Sequence, residues 1–212
     1  DLTNLIKAIQ SLTGTVMSAS QIYPIGPAKF ATTALYDFLN TYGDLQGTPS
    51  KEVINTIADC INNAARSLED AGTVYRAPLT AAKSKAVLFT DASAESACTA
   101  ALGAALLIDK KFYATGKILG RRLLQHFPRT VEKIRNIDPR PRIDILEALA
   151  LLMAIYTLGP LLAQRTVYIN LDNLNQARSV IRGQTRVPLL MAIAFEVHWL
   201  AMKFGFYPVF NW

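Results

Sequence analysis

Cysteine and histidine are scarce in this chain of 212 residues, which contains two of each. Cys60 and Cys98 lie far apart with no second pair beside them, so the sequence supports neither a disulfide framework nor a cysteine-ligated zinc site. This cysteine usage fits a reducing compartment, and we expect an intracellular location, cytoplasmic, nuclear or both. The chain starts at Asp1 without a basic and apolar leader, so we expect it to be a fragment of something longer.

Charged residues are also few, at 18% of the sequence, whereas apolar residues make up 51%. This balance is typical of a folded globular protein and argues against disorder. The most apolar stretch, residues 145–164, contains Glu147 and is interrupted by Gly159 and Pro160. Such a stretch is too broken for a membrane span, so we predict a core helix and expect no membrane partner.

The net charge of +6 is unevenly distributed along the chain. Basic and acidic residues balance up to residue 85, and the whole excess of positive charge follows. Eight Lys and Arg residues fall in the basic segment, residues 116–142, against only Glu132 and Asp138. This segment is a candidate phosphate-binding surface, because Lys and Arg neutralise backbone phosphates without reading sequence. A solvated insertion that only keeps the protein soluble is an equally open alternative.

The hydrophobic pattern changes near residue 80. Before it, apolar residues recur at helical spacing, and helices are predicted over 2–14, 32–43 and 50–72. We expect the first helix to end at Gly14 and Ser50 to cap the third.

After residue 85 the pattern is mixed, and the Asp109-Lys110 pair predicts a tight turn between two strands. A later helix is expected to begin with Asp144 as its N-cap. Strands are predicted over 86–90, 100–108, 111–117, 166–171 and 206–212, and helices over 144–158, 174–183 and 187–205. The order βββαβααβ indicates the α/β class, a mixed sheet with helices packed on it.

Two predicted strands are followed by an aspartate, Asp91 and Asp172. Such a residue often only opens a turn, but strand ends in α/β sheets also face the crevice where ligands bind. Glu147 lies in an otherwise apolar helix, where a carboxylate is costly unless it faces water, a partner or a metal. Three carboxylates without histidine or cysteine favour Mg²⁺ or Mn²⁺ over zinc. Two such ions, about 3.5–4 Å apart, can clamp a displacement at phosphorus, so the pattern predicts phosphodiester hydrolysis.

Three segments carry a resemblance to a known family: AVLFTDASAESACTAALGAALLI (86–108), RIDILEALALLMAI (142–155) and VYINLDNLNQARSVIRG (167–183). They resemble the ribonuclease H domain of a retroelement reverse transcriptase, most of all the tyrosine-recombinase retrotransposons of the DIRS and VIPER kind. Residues 6–39 resemble the segment that links the polymerase palm to ribonuclease H in such enzymes.

The resemblance implies a ribonuclease H-like mixed sheet flanked by helices over residues 81–212, truncated before its last helix. A small helical segment, residues 1–80, would correspond to the thumb or connection. The implied activity is hydrolysis of the RNA strand of an RNA·DNA hybrid with two Mg²⁺ or Mn²⁺ ions, beside an upstream polymerase domain of the same polyprotein. The catalytic and metal-binding residues would be Asp91, Glu147 and Asp172. The nucleic-acid-binding residues would be Ser93, Asn173, Lys117, Arg121, Arg122, Arg129, Lys133 and Arg135.

The chain departs from the family pattern in two places. The family carries a fourth carboxylate just beyond the last strand, and this sequence stops at Trp212, so we expect weak cleavage by the chain as it stands. The family's glycine-rich stretch after TDAS is replaced by AESACTAALG, with Gly103 as its late counterpart. A catalytically silent binding module is therefore a competing hypothesis. Transposase-like integration is disfavoured, because its last acid lies on a late helix.

Overall fold

The computed structural model describes residues 2–22, 28–44, 47–70, 84–127, 129, 141–173, 180 and 187–211. The chain divides into two units, Asp1–Tyr75 and Arg76–Trp212. The boundary predicted between residues 80 and 81 lies outside the described residues and stays a prediction.

The first unit is helical, and its helices are α1 (Leu2–Ile22), α2 (Ala28–Tyr42) and α3 (Lys51–Asp70). Its core consists of Ile6, Ile9, Val16, Leu35, Phe38 and Ile57. The prediction that α1 ends at Gly14 is wrong. A glycine inside a helix costs only about 1 kcal/mol, and the buried Val16 continues the apolar stripe past it. Ser50 caps α3 as predicted, since its Oγ accepts the Val53 N–H at 3.3 Å.

The second unit is built on a sheet of five strands in the order β3-β2-β1-β4-β5. The strands are β1 (Lys85–Ser96), β2 (Thr99–Ile108), β3 (Lys111–Leu119), β4 (Thr166–Asn170) and β5 (Tyr207–Asn211). The first three pair antiparallel, whereas β4 is parallel to β1 and β5 is parallel to β4. Asp109 and Lys110 form the predicted turn with φ values of 50° and 64°, as a two-residue hairpin of type I′ requires.

Three helices of this unit lie within the described residues: α4 (Arg121–Leu124), α5 (Ile143–Leu162) and α6 (Pro188–Phe204). The α6 helix has Pro188 in its first turn and ends at Gly205, whose φ of 66° is left-handed, as the sequence predicts. The helix predicted over 174–183 lies outside the described residues except for Val180. A mixed α/β sheet flanked by helices and preceded by a helical segment is therefore confirmed.

The α5 helix is the central helix of this unit. It packs against β1, β2 and α6, and most of its residues are buried. By length and composition alone it is the one helix of the described residues that would fit a membrane span, and here it serves as a core helix. The N-cap prediction at Asp144 is wrong, because α5 begins at Ile143 with Arg142 as N-cap. The Asp144 carboxylate instead pairs with Arg142 and accepts the Ile145 N–H inside the first turn, where a negative charge suits the helix dipole.

The two faces of the sheet differ in burial. The inner face, which packs on α5, buries alternate residues such as Leu88, Leu102 and Ile169. The residues that alternate with these lie on the other face of the sheet, which we call the outer face. It consists of Val87, Phe89, Asp91 and Ser93 of β1 with their cross-strand neighbours. None of the described outer-face residues is fully buried, and Phe112 and Ile118 are 74% and 75% exposed. The outer face is thus the accessible side of the sheet.

Candidate metal centre and nucleic-acid interface

Asp91 lies inside β1 and not at its end. The prediction of a strand over 86–90 is too short, because β2 pairs with β1 far beyond Asp91, which lies opposite Gly103. The parallel partner β4 pairs only with Lys85–Phe89. Asp91 therefore sits just past the end of the parallel pairing, at the carboxyl edge of β4, where α/β sheets open to ligands.

Asp172 and Glu147 approach Asp91 from β4 and α5. Asp172 is exposed and follows β4 by two residues, held there by buried Leu171, whose N–H donates to the Asn211 carbonyl at 2.9 Å. Glu147 lies one turn into α5 and is only 4% exposed. One carboxylate oxygen of each of the three residues lies within 4.8 Å of the other two. The structure thus brings together the three acids that the sequence singles out.

The electrostatics of this cluster disfavour full ionisation. Burial is the largest cause, and together with the charges of Asp172 and Asp91 it raises the pKa of Glu147 from 4.5 to about 7. A backbone hydrogen bond from Ala92 opposes the shift. A buried glutamate beside two aspartates gains from a nearby cation, which would offset both the burial cost and the mutual repulsion.

The donor set fits a divalent cation of the hard class. All three groups are carboxylates, which are the ligands that Mg²⁺ and Mn²⁺ prefer. Glu147 offers a buried anchor on α5, while Asp91 and Asp172 face solvent. The cluster is therefore a candidate metal centre that is open on one side to a substrate.

No large side chain covers Asp91 from the neighbouring strands. Gly103 of β2 lies opposite Asp91, and Gly116 of β3 lies opposite Gly103. Across the sheet from Asp91 the outer face is therefore bare backbone. The sequence suggested Gly103 as a small residue of the site, whereas Gly116 was missed because only the strand register places it in this row.

Several of the predicted nucleic-acid contacts are exposed or half-buried in the structure. Ser93 is exposed on the outer face two residues beyond Asp91, and Asn173 is half-buried next to Asp172. The exposed basic residues are Lys117 near the end of β3 and Arg121 and Arg122 on α4. Lys133 and Arg135 lie outside the described residues. The binding roles of all these residues stay predictions.

Arg129 has a structural position that the sequence did not suggest. Its guanidinium donates to the Ala97 carbonyl at 2.7 Å and to the Leu124 carbonyl at 3.1 Å. It thereby ties the β1–β2 turn to the end of α4. A sequence cannot show this, because the Arg129–Ala97 contact joins residues 32 positions apart.

No protein-family model and no curated protein sequence matches the chain. Solved ribonuclease H structures do match it at low identity. RNase H1 from the archaeon Halobacterium salinarum has 15% identity and a TM-score of 0.44 over 60% of this chain and 85% of its own. The N-terminal RNase H domain of a Mycobacterium tuberculosis protein, fused to maltose-binding protein, has 15% identity and a TM-score of 0.45 over 61% and 80%. The compost-derived LC11-RNase H1 has 16% identity and a TM-score of 0.40 over 60% and 84%.

The second unit has the mixed five-strand sheet flanked by helices that the resemblance to ribonuclease H domains implies. Its acidic cluster lies at the sheet edge where β1 and β4 part. Activity and substrate are a separate question, which depends on what the cluster does.

Proposed function

We propose that the chain is a metal-dependent endonuclease that hydrolyses the RNA strand of RNA·DNA hybrids. The observation that carries this proposal is the convergence of Asp91, Glu147 and Asp172, with ligand oxygens within 4.8 Å of one another. The resemblance of residues 86–108, 142–155 and 167–183 to retroelement ribonuclease H domains supports the choice of substrate.

The three carboxylates would hold two Mg²⁺ or Mn²⁺ ions. Bound there, such ions supply an activated water and stabilisation of the leaving oxygen in an in-line displacement at phosphorus. The chain's own residues set the position of this reaction. Glu147 is anchored from the buried α5, and Asp91 and Asp172 present their carboxylates to the solvent side, where a phosphodiester can approach over Gly103 and Gly116.

The basic residues would hold the hybrid by its phosphates. Lys117, Arg121 and Arg122 are exposed on β3 and α4, and β3 is separated from β1 by one strand. Neighbouring strands lie about 4.8 Å apart, so Lys117 is roughly 10 Å from β1. Lys117 pairs with the inner-face residue Leu102, so its side chain lies on the face opposite Gly103 and Gly116, and a duplex over the metal centre would meet it beyond the edge of β3. Lys133 and Arg135 would extend the same surface, and Ser93 and Asn173 would contact the strand nearest the carboxylates.

The retroelement context is part of the same proposal. The similarity of residues 6–39 to the segment between polymerase palm and ribonuclease H supports a position downstream of a reverse transcriptase polymerase domain. The first unit would then be the thumb or connection, and the protein would act inside the cell.

A panel of three duplexes of one sequence tests the function: an RNA·DNA hybrid, an RNA duplex and a DNA duplex, each labelled on either strand. In Mg²⁺ or Mn²⁺ we expect cleavage of the RNA strand of the hybrid alone, leaving 3′-hydroxyl ends, and none in EDTA. Equal cleavage of the DNA duplex would contradict the proposal. Hybrid binding without any cleavage in either metal would favour the silent binding module.

A further inference from the structure

Two asparagines meet on the outer face at the same sheet edge as the metal centre. Asn170 ends β4 and Asn211 ends β5, and the two residues are paired in the parallel register. Asn211 Nδ2 donates to Asn170 Oδ1 at 3.4 Å. Neither residue belongs to the predicted site, because the sequence alone does not reveal that the two strands are neighbours.

The pair lies close to the carboxylates. Asn170 pairs with Phe89, two residues before Asp91 on the same face of β1, and it also precedes Asp172 by two residues. Two residues along a strand span about 7 Å. The carboxyl edge of the three parallel strands thus carries Asp91, Asp172 and Asn211 in that order.

The mutual hydrogen bond uses the nitrogen of one amide and the oxygen of the other, and it leaves the remaining nitrogen and oxygen open. Asn170 Nδ2 and Asn211 Oδ1 form no hydrogen bond with any other described residue, and Asn211 is exposed. The ligand that matches such a pair is a hydroxyl, which both accepts and donates. In a nucleic acid the group of this kind on each sugar is the 2′-hydroxyl, which distinguishes RNA from DNA.

We propose that Asn170 and Asn211 bind a 2′-hydroxyl of the RNA strand beside the bond that is cut. The inference rests on the proposed function and adds to it a means of selecting RNA. The amides touch the sugar, and the carboxylates act on the phosphate next to it. Phe89, which is 48% exposed, lies beside Asn170, and its ring makes an apolar contact with the same nucleotide.

A double-mutant cycle between protein and substrate tests this contact. The protein arm compares the unchanged chain with the Asn170→Ala/Asn211→Ala variant. The substrate arm compares an all-RNA strand in the hybrid with strands that carry a single 2′-deoxy sugar at each nucleotide around the cut. The readout is kcat/KM for cleavage in Mg²⁺. Asn55→Ala, at an exposed position of α3, is the matched control.

We expect the double variant to cleave the all-RNA strand about 3- to 10-fold more slowly, the range of a lost hydrogen bond. At one nucleotide of the RNA strand, the 2′-deoxy sugar should slow cleavage by the unchanged chain by a similar factor. It should not slow cleavage by the variant. A purely structural pair would instead give additive losses at every position, which would overturn the inference while hydrolysis of hybrids stands. If the unchanged chain fails to cut the all-RNA hybrid, the proposed function fails and this inference fails with it. The single variant Asn211→Ala repeats the cycle if the double variant does not fold.

Discussion

Replacing Asp91 by asparagine should abolish hydrolysis of the RNA strand while leaving binding of the hybrid close to that of the unchanged protein. Asparagine keeps the size and one oxygen of the side chain but removes the charge that a divalent cation requires. Loss of groups that merely orient metal ligands costs roughly 10- to 100-fold in activity, so loss of a ligand should exceed that range. Binding should persist, because the phosphate contacts proposed for Lys117, Arg121 and Arg122 do not involve Asp91.

The measurement is single-turnover cleavage of a labelled hybrid, with fluorescence anisotropy for binding. Glu95→Gln is the matched control: it removes an exposed carboxylate from the same strand, four residues beyond Asp91 and outside the cluster. The control should cleave like the unchanged chain. If Asp91→Asn and Glu95→Gln cleave equally well, the cluster is not the reaction centre.

Replacing Glu147 by glutamine should make the metal-free protein more stable at pH 8. The pKa of Glu147 rises from 4.5 to about 7 on folding, chiefly because the carboxyl group is buried. Between these values the folded chain holds more protons than the unfolded chain, so the free energy of unfolding falls as pH rises from about 4.5 to 7 and is flat above. Glutamine cannot ionise and avoids this loss, which amounts to about 3 kcal/mol for a shift of this size.

Urea unfolding in EDTA, followed from pH 4 to pH 8, measures this difference. The two proteins should have similar stability at pH 4 and diverge up to pH 7, with the Glu147→Gln curve the flatter. Saturating Mg²⁺ at pH 8 should then stabilise the unchanged protein far more than the variant. If the two curves of stability against pH were parallel at all pH values, folding would not raise the pKa of Glu147.

Local pattern accounts for what the sequence predicts well. Alternating and helical apolar spacing located most helices and strands, and the odd placement of Glu147 in an apolar helix marked it as a candidate site residue. Asp91 and Asp172 were singled out because each follows a strand-like segment. The resemblance added the expectation of one mixed sheet flanked by helices.

The features that escaped prediction depend on distant partners. The β1 strand runs past Asp91 because β2 continues to pair with it. Arg129 donates to carbonyls of a turn that lies far away in sequence, so it looked like any other basic residue. Asn170 and Asn211 come together through the register of β4 and β5. In each case the decisive information is which strands and turns are neighbours, and that is absent from a local pattern.

Anomalous diffraction from crystals containing Mn²⁺ tests the three-carboxylate centre most directly. We expect a peak bonded to oxygens of Asp91, Glu147 and Asp172 at about 2.1 Å, close to the distance typical of Mg²⁺ sites. A second peak about 3.5–4 Å from the first would match a pair of ions acting on one phosphodiester. A map with no anomalous density among these residues, or with Glu147 turned away from the two aspartates, would contradict the metal centre and the hydrolysis proposed for it.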